Sequence, residues 1–188
     1  MSFSNVYFVL FKPQMPENIG ACARALKNFK FKNLSIVSPK INFPNEKVFA
    51  TSVGAKDIIN SSKIYDNFED AIKEINFVVA TSSRIRKQNY KYLPISDLRK
   101  INFRKKVAIV FGPEASGLSN NELSYANYVV KLPTNEKFQS LNISHSVILL
   151  CYEIFKILSN KVKKFSSNYN SKQISKKDLN KFMKLLID

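Results

Sequence analysis

No stretch of the 188-residue sequence approaches the ~18 consecutive apolar residues that a membrane-spanning helix needs. The first residues carry neither a basic segment nor a small-residue cleavage site, so no secretory leader is expected. Cysteine is scarce. Cys22 and Cys151 stand alone without CxxC or metal-ligand spacing, which gives no basis for a disulfide framework or a metal site and fits a reduced, cytoplasmic setting. The single histidine, His145, falls inside a long helical pattern and is read as structural or superficial rather than as a general base. No Gly-Lys-Ser/Thr closes a glycine-rich turn and no GxGxxG is present, which removes the phosphate-loop and dinucleotide-binding classes. No internal repeat is visible. Acidic residues number 14 against 30 lysines and arginines, for a formal charge of +16. That balance favours a polyanionic partner, nucleic acid above all. A lysine- and asparagine-rich composition of the kind an AT-biased genome produces would give the same excess without selection for binding.

Five apolar runs, at residues 6–11, 34–38, 77–80, 107–111 and 129–132, read as buried strands. Helices are expected over residues 18–29, with Asn18 as cap and Ile19, Cys22, Ala23, Leu26 and Phe29 on one face. Others are expected over 56–60, over 68–75 behind an Asn67 cap, after the capping box Ser119-Asn-Asn-Glu122, and over 141–160. The Pro- and Asn-rich residues 41–45 read as loop. Alternating strands and helices predict an α/β fold, a mostly parallel sheet flanked by helices. Residues 1–160 form the expected domain. Residues 161–188 are expected to form a basic linker and the start of a helical extension, in which Leu179, Phe182, Met183 and Leu186 share one side.

Ligands of parallel sheets gather beyond the carboxyl ends of the strands, and three segments there are unusual. Asn18, Gly20 and Arg24 follow the first strand, where a helix N-terminus favours an anion. A cap, a close-packing glycine and a solvated arginine would look the same. Phe111-Gly-Pro-Glu-Ala-Ser-Gly-Leu118 leaves a buried strand through two glycines and a proline. A tight turn accounts for all of it except Glu114, a carboxylate that needs a reason to be there. Residues 132–142 form a long polar crossing into the last long helix, which Ser140 or Asn142 could cap.

Asn18-x-Gly-x-x-x-Arg24, Phe111-Gly-Pro-Glu-x-x-Gly-Leu118 and Ser140-Leu-Asn-x-Ser144, in this order, resemble the three motifs of the SPOUT superfamily of RNA methyltransferases. Within it they resemble the TrmH family of ribose 2′-O-methyltransferases, over roughly residues 5–160. Ser52-Val-Gly-Ala-Lys-Asp-Ile-Ile59, Ala80-Thr-Ser-Ser-Arg84 and Ser175-Lys-Lys-Asp-Leu-Asn-Lys-Phe182 are similar to its TrmJ-like branch, the last to the opening of a longer C-terminal extension. The resemblance implies a C-terminal deep trefoil knot, a homodimer whose sites use both subunits, and S-adenosylmethionine bound within the knot. It implies methylation of tRNA at nucleotide 32 of the anticodon loop. Methylation of rRNA or of another tRNA position, and a knotted RNA-binding protein that does not methylate, remain open.

By the same resemblance, Thr81, Ser82, Gly112, Glu114, Gly117, Leu132 and Leu141 are the expected cofactor residues. Arg24 is expected at the chemistry, positioned by Asn18, Ser140 and Asn142. A guanidinium is a poor base, so Arg24 is read as fixing a phosphate and stabilising a developing alkoxide. Arg84, Arg86, Lys87 and Tyr90 mix cations with an aromatic ring and suit RNA contact. Residues 99–106 and lysines 161, 163 and 164 could extend that track or simply be solvated.

Overall fold

The computed structural model describes residues 2–86, 88–159 and 175–187. Its strands are β1 (Val6–Phe11), β2 (Asn33–Val37), β3 (Lys63–Tyr65), β4 (Phe77–Thr81), β5 (Tyr92–Pro94), β6 (Val107–Phe111) and β7 (Tyr128–Lys131). Its helices are α1 (Pro16–Asn28), α2 (Glu46–Thr51), α3 (Lys56–Asn60), α4 (Phe68–Ile72), α5 (Asn120–Ser124), α6 (Ile143–Ser159) and α7 (Lys176–Ile187). The strands make one seven-stranded sheet in the order β3-β2-β1-β6-β4-β7-β5. Every pairing in it is parallel. This is the expected α/β architecture.

The central strands are apolar on both faces because both faces are covered. Phe8 and Leu10 of β1 and Ile109 of β6 join the larger core with Ile19, Leu26 and Leu150 of α1 and α6. Val9 of β1 and Ala108 and Val110 of β6 face the other way, towards Phe68 of α4 and Leu123 of α5. The period-2 alternation of a strand thus supplies two cores from one run of six apolar residues.

Four local expectations change. β3 and β5 were not expected. They are three-residue edge strands, with Lys63 and Ile64 exposed, so burial never required an apolar run there. Helix α2 follows directly on residues 41–45, with Asn45 accepting from the Val48 amide at 3.0 Å as its cap. Helix α4 stops at Ile72, three residues early, though Asn67 caps it as expected through the Asp70 amide at 2.8 Å. Asn18 is not a cap. Helix α1 starts at Pro16, whose missing N–H and fixed φ suit the first helical position. Asn18 therefore lies within the first turn, buried. The capping box of α5 is formed as expected, with Ser119 and Glu122 bonding reciprocally.

Gly20 sets the spacing of α1 and α2. A Cβ there would lie 2.6 Å from the Val48 carbonyl oxygen and collide with the Thr51 hydroxyl, so no other residue lets the helices approach so closely.

Candidate active site

A cavity of about 350 Å³ opens beyond the carboxyl ends of β4, β6 and β7. It lies at the low end of the range of about 300–1,000 Å³ typical of small-ligand sites. Three loops wall it, each leaving one of these strands. Hydrogen bonds splice the strand ends together: Thr81 Oγ1 donates to the Val110 carbonyl at 3.0 Å and the Ser82 amide to the Val130 carbonyl at 3.1 Å.

The loop after β6 is tight for steric reasons. A Cβ on Gly112 would overlap the backbone of Gly117 and Leu118. Gly117 has φ +68°, a left-handed conformation that glycine adopts without penalty. Its amide closes the turn on the Pro113 carbonyl at 2.8 Å.

Glu114 has its reason in what it holds. Its Oε1 accepts from Asn18 Nδ2 at 2.9 Å and its Oε2 from the Gln14 amide at 3.0 Å. Asn18 Oδ1 in turn accepts from Asn142 Nδ2 at 2.9 Å. Asn142 Oδ1 accepts from the amide and hydroxyl of Ser144, at 2.8 and 2.7 Å, at the head of α6. The polarity of this chain is dictated by its end. An ionised carboxylate only accepts, so Asn18 must turn its amide nitrogen to Glu114 and its oxygen to Asn142. Asn142 must then turn its oxygen towards the first turn of α6, where orphan N–H groups need acceptors. One relay thereby joins the segments after β1, β6 and β7. Beneath it lies Cys22, whose thiol is pushed well above the ordinary range by burial and, secondarily, by the negative charge of Glu114.

All seven residues expected at a cofactor line this cavity: Thr81, Ser82, Gly112, Glu114, Gly117, Leu132 and Leu141. Ser140 lines it as well, while Asn18 and Asn142 reach it through Glu114. Arg24 does not line it. It is exposed on α1, two turns beyond Asn18. His145 is exposed on α6 and outside the cavity.

The expected RNA track divides. Arg84 is exposed on the cavity wall. Arg86 also lines the cavity, but its guanidinium donates to the Leu118 carbonyl at 2.7 Å and straps the end of the Gly112–Gly117 turn. Tyr90 packs its ring against the second core and points its hydroxyl at Gln88 Oε1, 2.6 Å away. Lys87 and lysines 161, 163 and 164 lie outside the described residues.

No sequence signal pointed to Gln14, whose backbone supports Glu114 and whose Oε1 accepts from the Ala115 amide at 3.3 Å. Lys137 and Gln139, on the wall between Leu132 and Ser140, were equally silent. Among the described residues no cluster of three or more His, Cys, Asp or Glu side chains could hold a metal ion. No described helix is long and apolar enough to cross a membrane.

An all-parallel sheet with a glycine-lined cavity at the carboxyl ends of its strands defines an α/β protein that binds a small ligand there. The family is settled by comparison with known proteins: a model of the SpoU rRNA methylase family matches residues 5–152, and the chain belongs to that family. It is 34% identical over 175 residues to the tRNA (cytidine-2′-O-)-methyltransferase TrmJ of Methanocaldococcus jannaschii, covering 90% of this chain and 74% of that protein. It is 36% identical over 152 residues to an uncharacterized tRNA/rRNA methyltransferase of Haemophilus influenzae, covering 80% of this chain and 62% of that one. The crystal structure of TrmJ from Z. mobilis superposes with a TM-score of 0.76 at 26% identity, covering 96% of this chain and 77% of that one.

Proposed function

We propose that this protein methylates a ribose 2′-hydroxyl of tRNA at nucleotide 32 of the anticodon loop, with S-adenosylmethionine as donor. The observation that carries this reading is the relay Glu114–Asn18–Asn142, which ties the three motif segments together at the cavity. The name of the archaeal relative, a tRNA (cytidine-2′-O-)-methyltransferase, supports the substrate class.

The residues present fit the donor. The Gly112–Leu118 turn leaves no room for a Cβ at Gly112, while Leu118, Leu132, Leu141 and Ile143 give apolar surface for a flat base. Thr81, Ser82 and Ser140 add hydroxyls for its polar groups. When bound, S-adenosylmethionine supplies an electrophilic methyl group on a sulfonium. The chain's task is to align the ribose oxygen with that methyl and to exclude water. Arg24 fixes the adjoining phosphate and stabilises negative charge developing on the oxygen through its guanidinium donors.

Arg24 stands outside its own chain's cavity, so this mechanism calls for a second copy. The proposal includes a homodimer in which Arg24 completes the partner's site. Ile148, Leu149 and Tyr152, exposed on α6 beside α1, suit such an interface. It also includes the trefoil knot. In support, β7 follows β6 in sequence yet pairs with β4, and α6 then returns to pack on α1. Residues 1–160 act as the methyltransferase domain and 161–188 as a basic linker opening a helical extension, in the cytoplasm. Arg84, exposed on the cavity wall, borders the RNA path, and Arg86 and Tyr90, bonded within the protein, shape the loop that carries it.

The test is to incubate the protein with S-adenosylmethionine and unmodified tRNA or rRNA transcripts and to analyse nucleosides by mass spectrometry. A 2′-O-methylnucleoside in tRNA, mapped to nucleotide 32, is the expected result. Product in rRNA alone would move the substrate. Cofactor binding without product on either RNA would point to a different RNA substrate, and absence of both product and cofactor binding would favour a non-catalytic RNA-binding protein. Arg24→Ala is expected to abolish transfer while leaving cofactor binding intact, and near-normal transfer would remove Arg24 from the mechanism.

A further inference from the structure

Phe138 is 77% exposed, more than any other aromatic residue among those described. A single exposed apolar residue is ordinary, but this one stands on a backbone that is held in place. The Phe138 amide donates to the Asn135 carbonyl and the Lys137 amide to Asn135 Oδ1, each at 2.9 Å. Gln139 Nε2 donates to the Glu136 carbonyl at 3.1 Å. Phe138 thus stands on a hydrogen-bonded turn, and its two chain neighbours, Lys137 and Gln139, both line the cavity. The loop after β4 repeats the arrangement: Ile85, 70% exposed, stands between Arg84 and Arg86, which line the same cavity.

A ribose oxygen can enter such a cavity only if its nucleotide leaves the stack of its neighbours. That costs stacking, and an aromatic ring with an open face, carried on an ordered turn beside the cavity wall, restores it whatever the base. We propose that Phe138 is the platform on which a base of the RNA substrate stacks as its ribose is delivered to the cavity, with Ile85 as a second apolar contact. The proposal rests on the methyltransferase reading for its ligand and adds a positioning residue to it.

The chain contains no tryptophan, so Phe138→Trp creates a single reporter whose emission can be excited apart from the tyrosines. With an unmodified tRNA transcript the emission is expected to be quenched in a saturable manner, and far less with a fully paired RNA duplex. This readout needs no turnover, so it separates failure of the stacking proposal from failure of the reaction. In steady state, Phe138→Ala is expected to raise the KM for tRNA roughly ten- to a hundredfold. Its kcat, its affinity for S-adenosylmethionine and its thermal midpoint should be close to those of the parent, and Phe138→Tyr should restore the KM. Absence of quenching together with an unchanged KM would overturn the proposal. So would a loss of cofactor affinity in Phe138→Ala, which would make the ring a cover for the cofactor. A change in its sedimentation mass would also overturn it, by making the ring part of a subunit contact.

Discussion

Asn18 is where a small chemical difference has the largest reach. Its amide bonds to both of the other motif segments, donating to Glu114 and accepting from Asn142. Asn18→Leu leaves Glu114 Oε1 and Asn142 Nδ2 without their partner, at a cost of about 1–3 kcal/mol in unfolding free energy, measurable by urea denaturation. Asn18→Asp has nearly the same shape but no donor, and it sets a second carboxylate against Glu114. It should lose methyl transfer as fully as Asn18→Leu. Gly112→Ala acts differently, because its Cβ overlaps the backbone of Gly117 and Leu118 and displaces the loop. We expect kcat to fall on the order of a hundredfold, and the urea midpoint to fall as well, as overpacking of about 1–3 kcal/mol predicts. Part of this was legible in the sequence. A carboxylate in a glycine-rich turn called for an explanation, and the second and third motifs, together with Ala80-Thr-Ser-Ser-Arg84, named most of the cavity wall. The role of Asn18 was not legible, because an asparagine at the start of a helix usually caps it and only the fold shows that the helix begins at Pro16.

At the scale of elements, α1 must satisfy three neighbours at once: α2 through Gly20, α6 through the larger core, and the relay through Asn18. Gly20→Ala forces the Val48–Thr51 turn outward and is expected to cost about 1–3 kcal/mol as overpacking, read as a lower denaturation midpoint. The cysteines make a second test. Cys22 in α1 and Cys151 in α6 are both buried, and burial raises both thiols above their ordinary value of about 9. Below that pH the thiols are neutral whether the chain is folded or not. Above it they ionise more readily in the unfolded chain, so their contribution to stability is lost as the pH rises. Stability should therefore decline above about pH 9 less steeply in Cys22→Ala than in the parent, and both thiols should resist a thiol reagent until the protein is denatured. Elements with a buried face were readable from apolar runs, helical patterns or capping signals, as β1, β6, α5 and α6 illustrate. The edge strands β3 and β5 and the single-turn α2 were not, because the sheet or a neighbouring helix imposes them on residues that carry no apolar pattern of their own.

Over the whole molecule, the excess of 16 positive charges acts on the RNA before any contact does. RNA affinity should fall steeply with salt, and Arg84→Ala should reduce the slope of log K against log salt by about 0.7–0.9. A slope untouched by Arg84→Ala would move the phosphate path elsewhere. The parallel sheet was legible because alternating apolar runs and helical patterns leave few other architectures. The order of its strands was not, since nothing local in β6 or β7 indicates that β4 will lie between them. That order has a temporal consequence. The bonds of the relay close loops of 96 and 124 residues, and contacts of such long range form late and slowly. During synthesis, every segment up to the head of α6 must have emerged before the relay can close. The nascent chain is thus unable to hold its ligand until nearly the whole domain has been made, so an incomplete polypeptide has no partial activity to misdirect.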